Sequence, residues 1–329
     1  GEVFDDISRG TELEIFSVYG GVEQDAQIKK LEEGIDILIA TPGRMFDLVS
    51  QGYIRLHRVN TLVLDEADHM LDLGFIKDIR DVLRFIPKHH QTLFFSATIN
   101  KEIKKVAYSL VSKPIRIQVS PKNPVAKTVE HSVGFISMDD KRFFLEYLLK
   151  EESYKKVLVF VRTKVRAERV LKAMERVGIK AETIHGEKSQ DDRFNIMKGF
   201  KEAERAVLIA TDVSARGVDI PNVELVINYD MPDKPENYVH RCGRTGRGNQ
   251  KGVAIAFCSE QEEPILGDIE VYLGKKIEVL EINQSSYKNV VDSSIDHAFG
   301  WKKLMNSNKD LDFFEGTKKK KDSKKKRAK

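Results

Sequence analysis

Short apolar runs alternate with amphipathic segments along most of this chain, and the alternation limits the folds it can adopt. The runs are continuous stretches of Val, Ile and Leu, which is typical of strands buried on both faces of a parallel sheet. Six such runs stand out: residues 35–40, 61–65, 91–96, 156–161, 206–211 and 224–229. Residues 75–86, 101–111 and 165–178 have the periodicity of amphipathic helices. The pattern predicts open, doubly wound α/β domains.

A polar stretch with two prolines, residues 120–127, interrupts this alternation. Because 329 residues are enough for about two domains, we interpret the interruption as an interdomain linker. Domain 1 is then expected at residues 1–119 and domain 2 at residues 128–285. The polar stretch 286–317 is expected to be a loosely ordered extension that leads into a basic tail.

The tail, residues 318–329, contains nine Lys or Arg and one Asp. Subtracting its +8 from the net charge of +4 leaves −4 on the other 317 residues. A segment of this composition cannot bury a core and is expected to be disordered. It would attract RNA or a ribosome through its charge, without reading sequence. The alternative is a tail that only promotes solubility.

Cysteine content and the length of the apolar runs exclude several classes of protein. Cys242 and Cys258 are the two cysteines and form no CxxC pair, so a reducing, cytoplasmic setting is expected. No apolar run approaches the ~20 residues that span a bilayer, so no membrane association is expected. Residues 1–10 have no signal-peptide pattern, and residue 1 is not Met, which suggests a fragment or a processed chain. The expected oligomeric state is a monomer.

Four residues with three carboxylates, Asp65-Glu66-Ala67-Asp68, follow directly on the apolar run TLVL. Carboxylates at the end of a parallel strand stand where open α/β sheets bind ligands. One carboxylate can hold Mg²⁺ largely through water, and its neighbour can orient or deprotonate an attacking water. The alternative is a solvated acidic turn after a strand.

A second motif, Ser96-Ala97-Thr98, closes the next predicted strand and should lie beside the acidic one. Its two hydroxyls can hydrogen-bond to Asp68 or to groups that cross the cleft. Ser and Thr are also good helix N-caps, so the motif could simply begin the helix near residue 100. Both roles can hold together.

The eight residues 240–247, HRCGRTGR, contain three arginines and one histidine interleaved with glycines. Glycine lets the backbone approach a ligand closely, and arginine donors match phosphate oxygens. Arg244 and Arg247 are spaced i, i+3, so both can point the same way, as arginine fingers for a γ-phosphate require. The alternative is a basic surface turn.

In this order and separation, DEAD, SAT and HRCGRTGR resemble the DEAD-box family of superfamily 2 RNA helicases. Further matches are GG at 20–21, TPGR at 41–44, FVRT at 160–163, HG at 185–186, QDDR at 190–193 and ATDVSARGVD at 210–219. The resemblance covers about residues 12–280. It implies two RecA-like parallel-sheet domains in tandem that close on ATP and single-stranded RNA. The short, Lys-rich C-terminal region resembles bacterial members that act in ribosome assembly or RNA turnover.

The resemblance also implies residue roles. Asp65 and Glu66 would serve Mg²⁺ and the attacking water, and Arg244 and Arg247 would be the fingers. Gly217 and Asp219 would lie at the nucleotide, with Asp219 on the ribose. Coupling between the nucleotide and RNA sides would use Asp68, Ser96, Thr98, His240 and Arg241. RNA would be bound by Gly21, Thr41, Gly43, Arg44, Arg162, Thr163, Gln190, Arg193 and Thr211.

These groups suit phosphates and 2′-hydroxyls rather than base edges, so RNA binding should have little sequence specificity. Several of them also have simpler explanations. Thr41-Pro42-Gly43 could be only a strand-to-helix turn, and Gly217 could be only a turn glycine.

No GxxxxGK[ST] phosphate-binding loop is present in the sequence, although the family carries one upstream of DEAD. The chain is therefore interpreted as N-terminally truncated, with an incomplete first domain. This predicts poor ATP binding and slow or absent hydrolysis by the chain itself. Two functions remain open: an ATP-dependent RNA helicase, and a non-catalytic RNA-binding clamp or adaptor. The combination of motifs disfavours a DNA helicase of a neighbouring family.

Overall fold

The computed structural model describes residues 1–98, 101–111, 113–118, 125–151, 154–215, 220, 222–248 and 250–294. The chain divides into two compact units. The first comprises residues 1–124 and 188–195, and the second comprises residues 125–187 and 196–329. Among the described helices, none combines the length and apolar character that a membrane span requires.

Two separate pairs of parallel strands form the framework of the first unit. β1 (Ile15–Val18) pairs with β2 (Ile37–Ala40), and β3 (Thr61–Leu64) pairs with β4 (Gln91–Phe94). A 3-10 turn spans Leu56–Arg58. The helices are α1 (Glu2–Ile7), α2 (Gln24–Glu32), α3 (Pro42–Ser50), α4 (Ala67–Asp72), α5 (Ile76–Phe85) and α6 (Lys101–Leu110).

One parallel sheet of seven strands forms the framework of the second unit, in the order β11-β5-β10-β9-β6-β8-β7. Its strands are β5 (Val129–Phe135), β6 (Lys156–Phe160), β7 (Glu182–Ile184), β8 (Ala206–Ala210), β9 (Leu225–Asn228), β10 (Gly252–Cys258) and β11 (Glu278–Val279). A 3-10 turn spans Glu260–Glu262. The helices are α7 (Lys141–Glu151), α8 (Lys164–Arg176), α9 (Gln190–Glu202), α10 (Asp212–Ala215), α11 (Pro235–Cys242), α12 (Glu263–Leu273) and α13 (Gln284–Ser293). Residues 190–195 of α9 belong to the first unit and the rest of the helix to the second.

The central strands of this sheet are buried on both faces, as their continuous apolar runs predict. In β6, Leu158 and Phe160 belong to the core cluster on one face, whereas Val157 and Val159 belong to the cluster on the other. The neighbouring strands β8 and β9 alternate in the same way. Each of the six predicted strand segments contains a strand, and each of the three predicted helical segments overlaps a helix. The predicted α/β fold with parallel sheets is confirmed.

Strand β3 of the first unit differs from this pattern. The side chain of Val63 is 53% exposed, and Thr61 on the same face is also exposed. Among the described strands, β3 pairs only with β4. The expectation of burial on both faces is therefore wrong for β3, because nothing in the described residues covers the Val63 face.

Two predicted boundaries of the second unit need correction. The predicted linker ended at residue 127, but Val125 is buried in the core of this unit. The predicted loose extension began at residue 286, but α13 packs on the unit. The Tyr287 ring packs against Phe144 at an angle of 55°, with ring centres 4.9 Å apart, and Val290 is buried in the same core. A few apolar contacts suffice to dock a helix whose sequence is mostly polar.

Tyr287 also docks α13 through its hydroxyl, which donates to Asp140 Oδ2 at 2.8 Å and accepts from Ser137 N at 3.0 Å. Tyr287→Phe is expected to lower the free energy of unfolding by about 1 kcal/mol, because both hydrogen bonds are removed. Urea denaturation measures the change. Tyr147→Phe on α7 is the control, since that exposed hydroxyl makes no hydrogen bond among the described residues. Equal effects of the two substitutions would contradict the docking role.

Candidate active site

The acidic motif lies directly after strand β3. Asp65 and Glu66 follow Leu64, and two hydrogen bonds continue the pairing with β4 beyond the strands. Phe95 N donates to Leu64 O at 2.8 Å, and Ala67 N donates to Phe95 O at 3.0 Å. The two carboxylates therefore stand at the carboxyl edge of the β3–β4 pair, where open α/β sheets bind ligands.

Glu66 has a left-handed backbone conformation, with φ 48° and ψ 43°. A side chain with a Cβ adopts this conformation at a cost of about 1–2 kcal/mol. The conformation turns the chain sharply from β3 into α4, which begins at Ala67. The Glu66 side chain makes no capping bond, and no described residue donates a hydrogen bond to its carboxylate. A strained residue with an unengaged carboxylate is suited to orienting a water molecule.

The buried Asp68 carboxylate joins α4 to the loop after β4. Its Oδ2 accepts from Thr98 Oγ1 at 2.7 Å and from Thr98 N at 3.1 Å, and its Oδ1 accepts from His69 N at 3.1 Å. The Ser96 hydroxyl donates to the Thr98 carbonyl oxygen instead, so it stabilises the loop rather than Asp68. The hydroxyls of Ser96 and Thr98 were both expected to reach Asp68; among the described residues, that of Thr98 does so. The alternative role as a helix cap stays a prediction, because residues 99–100 lie outside the described residues.

The oxygen ligand that Asp65 offers fits a magnesium ion held mainly through water. Asp65 is exposed; its Oδ1 accepts from Glu66 N at 2.9 Å, and none of the described hydrogen bonds engages its second oxygen. In the described part of the chain, no three His, Cys, Asp or Glu side chains cluster so as to hold a metal. A single carboxylate beside a hydrated Mg²⁺ suits an ion that gives up its waters reluctantly.

Arg241, in the last turn of α11, is 1% exposed and is bound within the second unit. Its Nε and Nη2 donate to the two carboxylate oxygens of Asp212 at 2.6 and 2.8 Å, and its Nη1 donates to Asp230 O at 2.7 Å. The guanidinium also lies over the Phe160 ring, 5.1 Å from the ring centre. Arg241 is predicted as a cross-cleft partner, yet its hydrogen bonds described here lie inside its own unit. It connects the arginine-rich segment to α10 and to the loop after β9.

Arg244 and Arg247 lie on the turn that follows α11. Arg244 Nε donates to His240 O at 3.3 Å, and Arg247 Nε donates to Gly243 O at 3.2 Å. Both side chains therefore have the same geometry, each against the carbonyl four residues earlier. Arg247 is exposed and Arg244 is half-buried. This arrangement fits the predicted pair of phosphate ligands.

Three residues that were not singled out from the sequence hold this arginine turn against the sheet. The buried Thr245 donates its hydroxyl to Val223 O at 2.5 Å. Thr128 Oγ1 donates to Gly246 O at 2.6 Å, and Gly252 N donates to Thr128 O at 3.0 Å. A Cβ on Gly252 would lie 2.1 Å from Thr245 Oγ1, so the turn needs glycine there. Thr245, which lies between two arginines in the motif, could have indicated a structural role, but its partner Val223 is distant in sequence.

Gly21 lies in the loop after β1, whereas the residues predicted to bind RNA after β2 lie at the start of α3. Arg44 Nη2 donates to Val22 O at 3.0 Å and so joins α3 to the loop after β1. Gly21 has φ +83°, a conformation that favours glycine. Thr41 precedes α3, and its side chain makes no capping bond. Gly43 lies in the first turn of α3, where backbone N–H groups suit a phosphate.

The remaining residues predicted to bind RNA follow strands β6, β7 and β8 of the seven-stranded sheet. They are Arg162 and Thr163 after β6, Gln190 and Arg193 in the first turn of α9, and Thr211 after β8. Thr163 also caps α8, because its Oγ1 accepts from Arg166 N at 3.1 Å. The Thr211 hydroxyl lies 3.0 Å from Ser214 Oγ. Both hydroxyls therefore support local structure in addition to any ligand contact.

Gly217 and Asp219, the predicted nucleotide ligands, lie outside the described residues. His240 is half-buried on α11, beside Arg241. Cys242 is fully buried, and burial raises the pKa of its thiol to about 12. The thiol therefore stays protonated and packs as a small apolar group.

Gly252→Ala tests how the arginine turn is held. The new methyl would meet Thr245 Oγ1, and the free energy of unfolding is expected to fall by about 1–3 kcal/mol as the turn shifts. Chemical denaturation measures this. Gly267→Ala within α12 is the matched control, because its Cβ would meet no atom within 4 Å and should stabilise the helix slightly. A Gly252→Ala variant as stable as the parent would contradict the close approach.

Two family models match separate parts of the chain. A family model described as "DEAD/DEAH box helicase" matches residues 1–106, and one described as "Helicase conserved C-terminal domain" matches residues 140–249. The chain is 40% identical to the ATP-dependent RNA helicase RhlB of Actinobacillus succinogenes, over 86% of this chain and 69% of that protein. It is 38% identical to RhlB of Shewanella amazonensis, over 85% of this chain and 64% of that protein. The chain thus spans about two thirds of these curated relatives.

Solved structures show the same architecture. Dbp5 of S. cerevisiae, bound to RNA and ADP BeF3, matches with a TM-score of 0.77 and 28% identity, over 88% of this chain and 76% of that one. Mss116 bound to ssRNA and UDP-BeF matches with a TM-score of 0.71 and 25% identity, over 89% of this chain and 65% of that one. The predicted two-domain, RecA-like architecture agrees with these matches. With a relative 40% identical over most of both chains, this chain belongs to the DEAD-box family of RNA helicases.

Proposed function

We propose that this chain is the motif-bearing part of an ATP-dependent RNA helicase, which couples RNA-stimulated ATP hydrolysis to local duplex unwinding or ribonucleoprotein remodelling. The observation that carries the proposal is the geometry after β3. Asp68 is tied to Thr98, while the neighbouring Asp65 and Glu66 keep carboxylate oxygens unengaged among the described residues. A module that only bound RNA would need neither these carboxylates nor Arg244 and Arg247.

Each group has a chemical role in this proposal. Asp65 holds Mg²⁺ through water, and Glu66 orients the water that attacks the γ-phosphate. Arg244 and Arg247 stabilise the charge that develops on the transferred phosphoryl group. Asp219 and Gly217 contact the nucleotide. The pair Asp68–Thr98, with Ser96, His240 and Arg241, links nucleotide state to RNA binding.

RNA is bound through its backbone. Two neighbouring loops and the start of α3 supply Gly21, Thr41, Gly43 and Arg44. The loops after β6 and β8 and the start of α9 supply Arg162, Thr163, Gln190, Arg193 and Thr211. These donors suit phosphates and 2′-hydroxyls, so affinity should vary little with base sequence. A cytoplasmic, monomeric protein with ribosome or ribonucleoprotein partners fits this proposal.

The second candidate is a non-catalytic RNA clamp or adaptor. It is favoured by one sequence observation, the lack of a GxxxxGK[ST] element in the 329 residues. The amides and lysine of that element cradle the β- and γ-phosphates, and the arginine turn cannot replace them. The 329 residues on their own are therefore expected to hydrolyse ATP slowly or not at all.

RNA-stimulated ATP hydrolysis separates these candidates. The 329-residue chain is expected to turn over ATP no faster than its Glu66→Gln variant, because the phosphate cradle is missing. Adding the family's phosphate-binding segment upstream should produce RNA-dependent turnover that Glu66→Gln abolishes. If that chimera binds RNA but remains inactive, the clamp is the better description. RNA-dependent turnover by the chain alone, abolished by Glu66→Gln, would show that another element holds the phosphates.

The basic tail makes a separate prediction. Truncation after Thr317 removes nine basic residues and should weaken binding of single-stranded RNA. The slope of log affinity against log salt concentration should also become shallower, by about 0.7 for each RNA phosphate that the tail no longer neutralises. Fluorescence anisotropy titrations at several KCl concentrations measure both quantities. A tail of equal length with Gln in place of Lys and Arg should behave like the truncation, whereas unchanged slopes would indicate a solubility tail.

A further inference from the structure

Lys141, in the first turn of α7, is 0% exposed and pairs with Glu262, which is 2% exposed. Its Nζ donates to Glu262 Oε2 at 2.5 Å and to Tyr229 O at 2.8 Å. The two charged residues are 121 positions apart in the chain and lie inside the second unit. None of the roles proposed above uses this pair.

The Glu262 carboxylate accepts hydrogen bonds from three loops besides Lys141. Its Oε1 accepts from Arg162 Nη2 at 3.3 Å and from Met231 N at 3.0 Å, and its Oε2 accepts from Ser259 N at 3.1 Å and Ser259 Oγ at 2.9 Å. Those loops follow the neighbouring strands β6, β9 and β10. One buried carboxylate therefore holds together the loops at the carboxyl edge of the sheet.

The adjacent Asp230 strengthens the same junction. Its Oδ2 accepts from Arg162 N at 3.0 Å, its Oδ1 lies 3.3 Å from Arg166 Nη2, and its carbonyl oxygen accepts from Arg241 Nη1 at 2.7 Å. The backbone of Arg162 is thus fixed by Asp230 while its side chain is fixed by Glu262. The same loop also binds Arg241, next to the arginine turn.

Stability does not explain such a buried pair. Desolvation of two charges offsets most of their attraction, and an apolar pair of similar volume is often equally stable. Burial lowers the pKa of Lys141, and Glu262 only partly opposes this. Burial would raise the pKa of Glu262, but Lys141 and Ser259 together lower it, so the carboxylate stays ionised. The pair instead fixes the position of the loop groups that are hydrogen-bonded to Glu262, which are Arg162, Met231 and Ser259.

The side chain of Arg162 is the group whose position matters most. It is 37% exposed; Nη2 donates to Met231 O at 3.1 Å as well as to Glu262, and Nε lies 3.0 Å from Asp233 Oδ1. None of the described hydrogen bonds uses Nη1. The guanidinium is therefore held through Nε and Nη2, and Nη1 is available to bind a ligand.

We propose that Lys141 and Glu262 are positioning residues that orient the Arg162 guanidinium toward the RNA backbone. The inference rests on the proposed RNA contact of Arg162. Lys141 sets the place of the Glu262 carboxylate, and Glu262 sets the place of Arg162 Nη2. A phosphate oxygen then meets Nη1 of a side chain already ordered, so little conformational entropy is lost on binding.

The test measures binding of a fluorescein-labelled, single-stranded RNA of mixed sequence to the 329-residue chain by anisotropy. The double variant Lys141→Met/Glu262→Gln removes both charges, and Gln can still serve the capping bonds to Ser259. It should remain folded at the temperature of the assay, as its melting curve will show, but bind RNA roughly tenfold more weakly, the effect of removing one well-placed charge-assisted hydrogen bond. Lys150→Met, on the same helix α7, is the matched control and should bind like the parent.

Arg162→Ala separates this inference from the proposed function. If Arg162→Ala leaves RNA affinity unchanged, the proposed RNA contact is wrong and the positioning role fails with it. If Arg162→Ala weakens binding but the double variant does not, only the positioning role is wrong. The role is supported if the double substitution weakens binding in the parent but adds nothing in the Arg162→Ala background. Equal losses in both backgrounds would show a merely structural effect and overturn the inference.

Glu262→Asp is the second variant should the double one melt far below the parent. It keeps a negative charge opposite Lys141, but its carboxylate is shorter by one methylene and is withdrawn from Arg162. A loss of RNA affinity that depends on Arg162 supports the role in this variant too, and an unchanged affinity overturns it.

Discussion

Every strand pair that the structure describes is parallel, and the candidate site depends on this constraint. Parallel pairing brings the carboxyl ends of neighbouring strands to one edge, so loops distant in sequence meet there. In the first unit the edge joins Asp68, after β3, to Thr98, after β4. In the second unit it joins Arg162, after β6, to Asp230, after β9. In the second unit, the central strands that carry this edge are buried on both faces.

The same edge of the second unit is where charge is buried. Arg241 is bound by Asp212, and Lys141 is bound by Glu262. The side chains of Arg241 and Lys141 are at most 1% exposed. Removing one partner of such a pair leaves an uncompensated charge and typically costs about 3–5 kcal/mol. The apolar clusters on the two faces of the sheet supply the stability, whereas the charged pairs determine where the loops stand. Arg244 and Arg247 lie on the turn that follows the buried Arg241.

Prediction from sequence succeeded where a local pattern carried the information. Buried strands need continuous apolar runs, so β6, β8 and β9 could be read from the chain. It failed for β3, because exposure depends on neighbours rather than on the strand's own residues, and Val63 is exposed despite its apolar run. It failed for α13 as well, because that helix is mostly polar and is held by Tyr287 and Val290. Thr245 and Gly252 were missed because their contact with each other needs the folded turn.

The sequence by itself determined the six apolar strand segments, the three amphipathic helical segments and the motifs that place the chain in its family, because residue type and spacing encode them locally. It also determined which residues can bind phosphate or activate water, since that depends on chemical type. Only the tertiary structure decided how each charged group is used. Arg241 binds Asp212 inside its own unit, Thr98 rather than Ser96 reaches Asp68, and Lys141 and Glu262 meet across 121 positions. A hydrogen bond requires two atoms about 3 Å apart, and that separation is set by the packing of the sheet and not by distance along the chain.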